Sequence, residues 1–298
     1  MVIANPIYDV VFKRMMENEK VAKFFIGTLL DEIIIDLNVK PHEFTYTNEG
    51  AGIALFRLDF IATIKTEGGE FKKILIEIQK ARNHVDLMRF RNYLAEQYKK
   101  VDILNNEKIV LPITTVYILG FNLVEIESPC LKVERSYIDL INKAFIKNKS
   151  EFIEKLSHDS YIVQVDRITN KYGSKLEKLL SIFEQNNFTD ENKITKTFNH
   201  IADIEEIKLA TDILHFAGTD PEERKKIEIE QEGWRSLNAM FEDKEKEFMK
   251  TLNEKDKKIV EKDKKIVEKD KILEENTKQI QENEKLISEL MNRLNMGK

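Results

Sequence analysis

Ile53-Ala54-Leu55-Phe56-Arg57-Leu58-Asp59-Phe60-Ile61-Ala62-Thr63-Ile64-Lys65-Thr66 runs into Glu67-Gly68-Gly69 and returns as Glu70-Phe71-Lys72-Lys73-Ile74-Leu75-Ile76-Glu77-Ile78-Gln79-Lys80. Two apolar runs on either side of a glycine pair predict a β-hairpin. In the first run Leu58, Phe60, Ala62 and Ile64 share one face. Leu55, Arg57, Asp59, Ile61 and Thr63 share the other, which suits a strand covered on both sides. In the second run Ile74, Ile76 and Ile78 oppose a face made of Leu75, Glu77 and Gln79. Each strand therefore carries a carboxylate inside an apolar run, where it is costly unless something pairs with it.

Register decides what the two acids can do, because a one-residue slip reverses every side chain. A three-residue loop, Glu67 to Gly69 with glycine in the left-handed position, closes on Thr66 and Glu70. Counting outward from that pair sets Asp59 opposite Glu77. A two-residue loop would put the acids on opposite faces unless a bulge corrected the count. Two carboxylates on one face can hold a divalent cation, the minimal equipment for cutting a phosphodiester bond. The plainer alternative is an ordinary hairpin whose acids are exposed or paired with Arg57 or Lys73.

Outward from the hairpin the pattern alternates. Asn5-Pro6 reads as a helix start with Asn5 as N-cap. Ile7, Val10, Val11 and Met15 follow at helical spacing, and Asp9 and Lys13 lie one turn apart on one face. A second helix is expected over Glu19 to Leu30, and an edge strand near Phe44 to Thr47. After the hairpin, Leu87, Phe90, Leu94, Tyr98 and Val101 predict a helix over Val85 to Leu104. Its polar side holds Arg89, Arg91, Lys99 and Lys100. Strands are expected over Ile113 to Phe121, Leu131 to Tyr137 and Tyr161 to Ile168. The order implies an α/β fold, a mixed sheet with helices on its faces, over residues 1–170. Helical spacing dominates residues 171–249.

Residues 250–298 are of low complexity. Glu254-Lys-Asp-Lys-Lys-Ile-Val260 repeats as Glu261 to Val267. Leu252, Ile259, Ile266, Leu273, Ile280, Ile287 and Leu294 recur every seven residues, the period of a left-handed coiled coil. The second core position holds Lys255, Lys262 and Lys269, or Asp256, Asp263 and Asp270 in the other frame. A weak parallel homodimer and a lone helix stitched by Glu254–Lys258 and Glu261–Lys265 pairs both fit.

The net charge of −5 argues against general affinity for nucleic acid but leaves room for a local basic face. A single cysteine, Cys130, excludes intramolecular disulfides and cysteine-rich zinc clusters; a buried, inert thiol is expected there. The first residues are polar and amphipathic, and the longest apolar stretch, Ile109 to Val124, reads as a core strand. No signal peptide or membrane span is therefore expected, and the location is expected to be cytoplasmic. No glycine-rich nucleotide loop is visible, so no nucleotide cofactor is expected. The five histidines lack ligand spacing.

Asp9-Val10-Val11-Phe12-Lys13, then Arg57-Leu58-Asp59, then Ile76-Glu77-Ile78-Gln79, then Asp86-Leu87-Met88-Arg89-Phe90-Arg91-Asn92-Tyr93 together resemble the PD-(D/E)XK nuclease family transposases, relatives of the bacterial recombination-promoting nucleases. The resemblance covers residues 4 to about 240 and leaves out the heptad tail. It implies a restriction-endonuclease-like core and metal-dependent DNA cleavage with Mg²⁺, or Mn²⁺ in its place. It makes Asp59 and Glu77 metal ligands and Asp9 a third acid near the ion. Gln79 stands where the wider superfamily has lysine; it is neutral and can only orient water. The metal must then lower the water's pKa, with Lys13 as the replacement cation. Arg89, Arg91, Tyr93 and Lys80 are the expected DNA-backbone contacts. The alternative is a catalytically degenerate DNA-binding or assembly protein, brought together by its tail.

Overall fold

The computed structural model describes residues 1–39, 43–48, 52–57, 60–80, 84–104, 106–169 and 171–295. Side chains are described throughout these except at 43–48, 52–57, 84–86, 89, 237–238, 240–242, 244–245, 248, 252 and 292–295. The elements run β1 (Val2–Ala4), α1 (Asp9–Met16), α2 (Glu19–Leu30), β2 (Ile34–Val39), β3 (Glu43–Asn48), β4 (Gly52–Arg57), β5 (Phe60–Thr66) and β6 (Phe71–Gln79). Next come α3 (His84–Lys99), β7 (Asp102–Leu104), β8 (Glu107–Ile109), β9 (Ile113–Leu119), β10 (Cys130–Val133), β11 (Tyr137–Ile138) and β12 (Phe145–Ile146). The chain ends with α4 (Glu151–Leu156), β13 (His158–Gln164), α5 (Lys175–Ser181), β14 (Thr195–Thr197), α6 (Glu205–Thr219) and α7 (Pro221–Asn295).

A six-stranded mixed sheet, ordered β10-β13-β9-β6-β5-β2, forms the centre. β5 is antiparallel to both β2 and β6, while β6, β9 and β13 run parallel to one another. Strand alternation gives the sheet two unlike faces. Phe60, Ala62, Ile64, Ile74, Ile76 and Ile78 join the main core with Phe12 of α1, Phe25 of α2, Leu179 of α5 and Leu214 of α6. Ile61, Leu75 and Ile113 point the other way and meet Phe90 and Tyr93 of α3 in a smaller core. The expected mixed sheet flanked by helices is thus present.

Several boundaries differ from the sequence reading. The run 53–66 is two strands: β4 pairs with β3 in a sheet of its own, and β5 pairs with β6. β6 has nine residues, too few to partner all of that run. The strand β2 was not anticipated. It is the sheet edge, bulged between Ile34 and Asp36, with Ile35 and Val39 exposed, so it lacks the alternation of a half-buried strand. The first helix begins at Asp9 and not at Asn5. Asn5 is buried instead, and its side chain donates to Gln185 Oε1 (2.9 Å) and the Lys193 carbonyl (3.0 Å). The second helix has the expected bounds, with the Asn18 side chain accepting from the Val21 N–H.

Residues 171–232 pack into the main core, so the compact units are Met1–Glu232 and Gly233–Lys298 rather than a division near residue 170. β14 pairs with β1, which ties the first residues to the second half of the chain. Lys196 of β14 is 2 % exposed. Its ammonium donates to the carbonyl oxygens of Ser181 and Glu184. Burial pushes its pKa down to about 7 from 10.5, with Glu184 pulling the other way. Between about pH 7 and 10.5 the unfolded chain holds a proton that the folded chain lacks, so this group makes stability rise with pH across that window. Lys196→Met is expected to remove that slope, measured by urea unfolding on both sides of the window.

The single cysteine, expected to be buried, is half-buried at the start of β10. Burial raises the Cys130 thiol to about 11, which keeps it protonated near neutral pH. No helix among the described residues is long and apolar enough to cross a membrane.

Candidate active site

The hairpin register is the one the three-residue loop requires. Gly69 has φ +83, in the left-handed region that favours glycine. Its N–H donates to the Thr66 carbonyl (2.9 Å), and the Thr66 N–H donates to Glu70 (2.9 Å). From there Lys65 pairs with Phe71, Thr63 with Lys73, Ile61 with Leu75 and Phe60 with Ile76. The next step, on which the sequence reading sets Asp59 opposite Glu77, lies outside the described residues.

Glu77 sits two residues before the carboxyl end of β6, on the face that carries Leu75 and looks toward α3. It is 1 % exposed. Tyr117 stands beside it on the parallel strand β9, its ring 4.5 Å from that of Phe90. Burial raises the pKa of the Tyr117 hydroxyl, and the Glu77 charge raises it further, because a carboxylate disfavours phenolate formation next to it. Gln79 follows on the same face, half-buried, and its carbonyl accepts from the Gly120 N–H (2.8 Å). Gly120 is where β9 ends, and a side chain there would press on the Lys80 backbone, with the carbonyl oxygen 3.1 Å from a Cβ. The pair β6–β9 thus ends in a close backbone contact, at the carboxyl end of parallel strands where open α/β sheets bind ligands.

Lys80 turns to the opposite side. Its ammonium lies 2.5 Å from Glu230 and 3.9 Å from the centre of the Tyr8 ring. The same Glu230 carboxylate accepts from the backbone N–H groups of Asp9 (2.9 Å) and Val10 (3.0 Å). An anion at a helix N-terminus is favoured by the helix dipole, so Glu230 caps α1 and ties it to the end of β6. Lys80, expected as a DNA contact, is mostly covered and serves this tie.

The remaining expected residues separate into groups. Asp9 and Lys13 do share a face of α1, joined by a 2.7 Å ion pair. The buried face of α1 packs on the main core, whereas Glu77 faces α3. Arg91 is exposed on α3 as a backbone contact requires. Tyr93, grouped with it in the sequence reading, is instead 4 % exposed and packs with Ile61, Leu75 and Phe90. It occupies the inward side of α3, since positions 90 and 93 lie one turn apart. The Arg89 side chain lies outside the described residues.

The described residues do not by themselves make a cation site: no group of three or more His, Cys, Asp or Glu among them could hold a metal ion. Glu77 is one suitable donor, and Asp9 is engaged by Lys13. Two residues of this region had no sequence signal. Glu230 lies 150 positions from Lys80, and Tyr117 sits in an ordinary apolar strand. No protein-family model, curated protein or solved structure matches the chain.

Proposed function

We propose that the chain is a metal-dependent DNA endonuclease in which Glu77 and Asp59 hold a Mg²⁺ ion at the carboxyl end of β6. The observation that carries the reading is the placement of Glu77. It is a carboxylate 1 % exposed, in the register set by the Glu67–Gly69 loop, and followed on its own face by Gln79. Burying a carboxylate in an apolar layer is costly, and such positions are kept where the charge is used. A bound cation would supply Lewis acidity and a more acidic water. Gln79 would position that water through its amide, since it cannot take its proton. Arg91 would lie on the phosphate backbone as a point of attachment without sequence selectivity.

A second reading is a DNA-binding or assembly protein that does not cut. The Asp9–Lys13 ion pair favours it, because a carboxylate neutralised by lysine is not, as it stands, a metal ligand. Supercoiled plasmid with Mg²⁺ separates the two. Nicking by the natural chain and its loss in a folded Asp59→Ala variant is the expected result. Equal activity in both, or DNA retention without cutting, would defeat the nuclease reading.

A further inference from the structure

We propose that the C-terminal part of α7 pairs with the same segment of a second copy as a parallel, in-register, two-stranded coiled coil. Ile259, Ile266, Leu273, Ile280 and Ile287 line one side of the helix and are all more than half exposed. They recur every seven residues, and isoleucine at the first core position is the choice of two-stranded pairs where leucine holds the second, as Leu290 does at the end of the stripe.

Charge along the edges of this stripe selects the frame and the direction. With Ile259 at the first core position, one edge reads Lys258, Lys265, Ile272, Gln279 and Leu286. The other reads Asp263, Asp270, Thr277, Glu284 and Met291. In a parallel pair each residue of the first edge lies beside the residue five positions later on the other chain. Lys258 then meets the partner's Asp263, Lys265 meets the partner's Asp270, and Leu286 meets the partner's Met291. An antiparallel pair sets each edge against itself. The first edge has no acid and the second no base, so no opposite charges could meet. The other frame buries Asp256, Asp263 and Asp270 in the core and sets lysines against Val260 and Val267. Lys258, Asp263, Lys265 and Asp270 are exposed and, among the described residues, enter no ion pair of their own chain.

The second core position weakens the first half of the seam. Lys255, Lys262 and Lys269 occupy it and must run their stems outward to keep the ammonium groups wet. In the second half Asn276 and Asn283 hold the second core position until Leu290, so association rests on Leu273, Ile280, Ile287 and Leu290, with Leu286 and Met291 widening the stripe. The lysine half contributes alignment through its edge charges.

The test uses the full chain. Light scattering at tens of micromolar is expected to give twice the 35.0 kDa of one copy. In a Cys130→Ser background, Ile280→Cys places two thiols in one core layer of the parallel pair, and mild oxidation is expected to give a covalent dimer. Lys278→Cys, on the outward side of the same turn, is expected to cross-link about tenfold less. A single-copy mass would overturn the proposal. So would a dimer that cross-links no better through position 280 than through 278, since that would mean another direction or another frame.

Discussion

Glu77→Gln is expected to lower Mg²⁺-dependent plasmid nicking by about 10³-fold, on the order of 4 kcal/mol in the barrier. The amide matches the carboxylate in size and fills the same place between Leu75, Gln79 and Tyr117, so packing is preserved. What it removes is one negative charge from a position that is 1 % exposed, where charge counts for more than at the surface. A cation held by two carboxylates would lose half of its compensating charge. The substitution also has a readout that does not depend on cutting. The variant is expected to keep the urea midpoint of the natural chain or exceed it, since the amide is isosteric and a buried charge is removed. A folded variant with undiminished nicking would show that the nuclease assignment is wrong.

Asp102→Ala is expected to cost about 3–5 kcal/mol of stability, the largest single loss foreseen outside the hydrophobic core. Lys73 of β6 and Asp102 of β7 are 2 % and 6 % exposed, and their charged atoms lie 2.8 Å apart. Removing the acid strands a lysine in the interior, which is worse than removing both charges. The double substitution Lys73→Met with Asp102→Leu should therefore recover most of the loss. Urea unfolding of the natural chain and the two variants checks this. Equal destabilisation by the single and the double change would mean that packing, not charge, is what the pair supplies. The contact also bears on the hairpin, because Lys73 lies opposite Thr63 and four residues before Glu77, on the same face.

Much of the candidate site was legible because it is local. The loop Glu67–Gly69 closes over three residues, and the position of one glycine fixes the pairing of everything that follows. The i,i+4 relation of Asp9 and Lys13 is likewise a property of any helix. The roles of Lys80 and Tyr93 were not legible. Lys80 is claimed by Glu230, which is remote in sequence, and the helical spacing that marked α3 did not say that Tyr93 would fall on its inward side. The alternation that identified β5 and β6 also failed at β2, where the bulge between Ile34 and Asp36 breaks the two-residue period and Ile35 and Val39 stay exposed.

The amino-acid sequence by itself determined the hairpin, the bounds of α2 and the seven-residue repeat of the tail. Each depends on residues within a few positions of one another, where backbone geometry and side-chain periodicity leave few alternatives. Only the tertiary structure decided that β1 is completed by β14, that residues 171–232 share the core of what precedes them, and that Glu230 caps α1 while holding Lys80. These contacts join segments far apart in the chain. No local preference selects them; they follow from which buried surfaces and charges find partners when the whole of residues 1–232 folds at once.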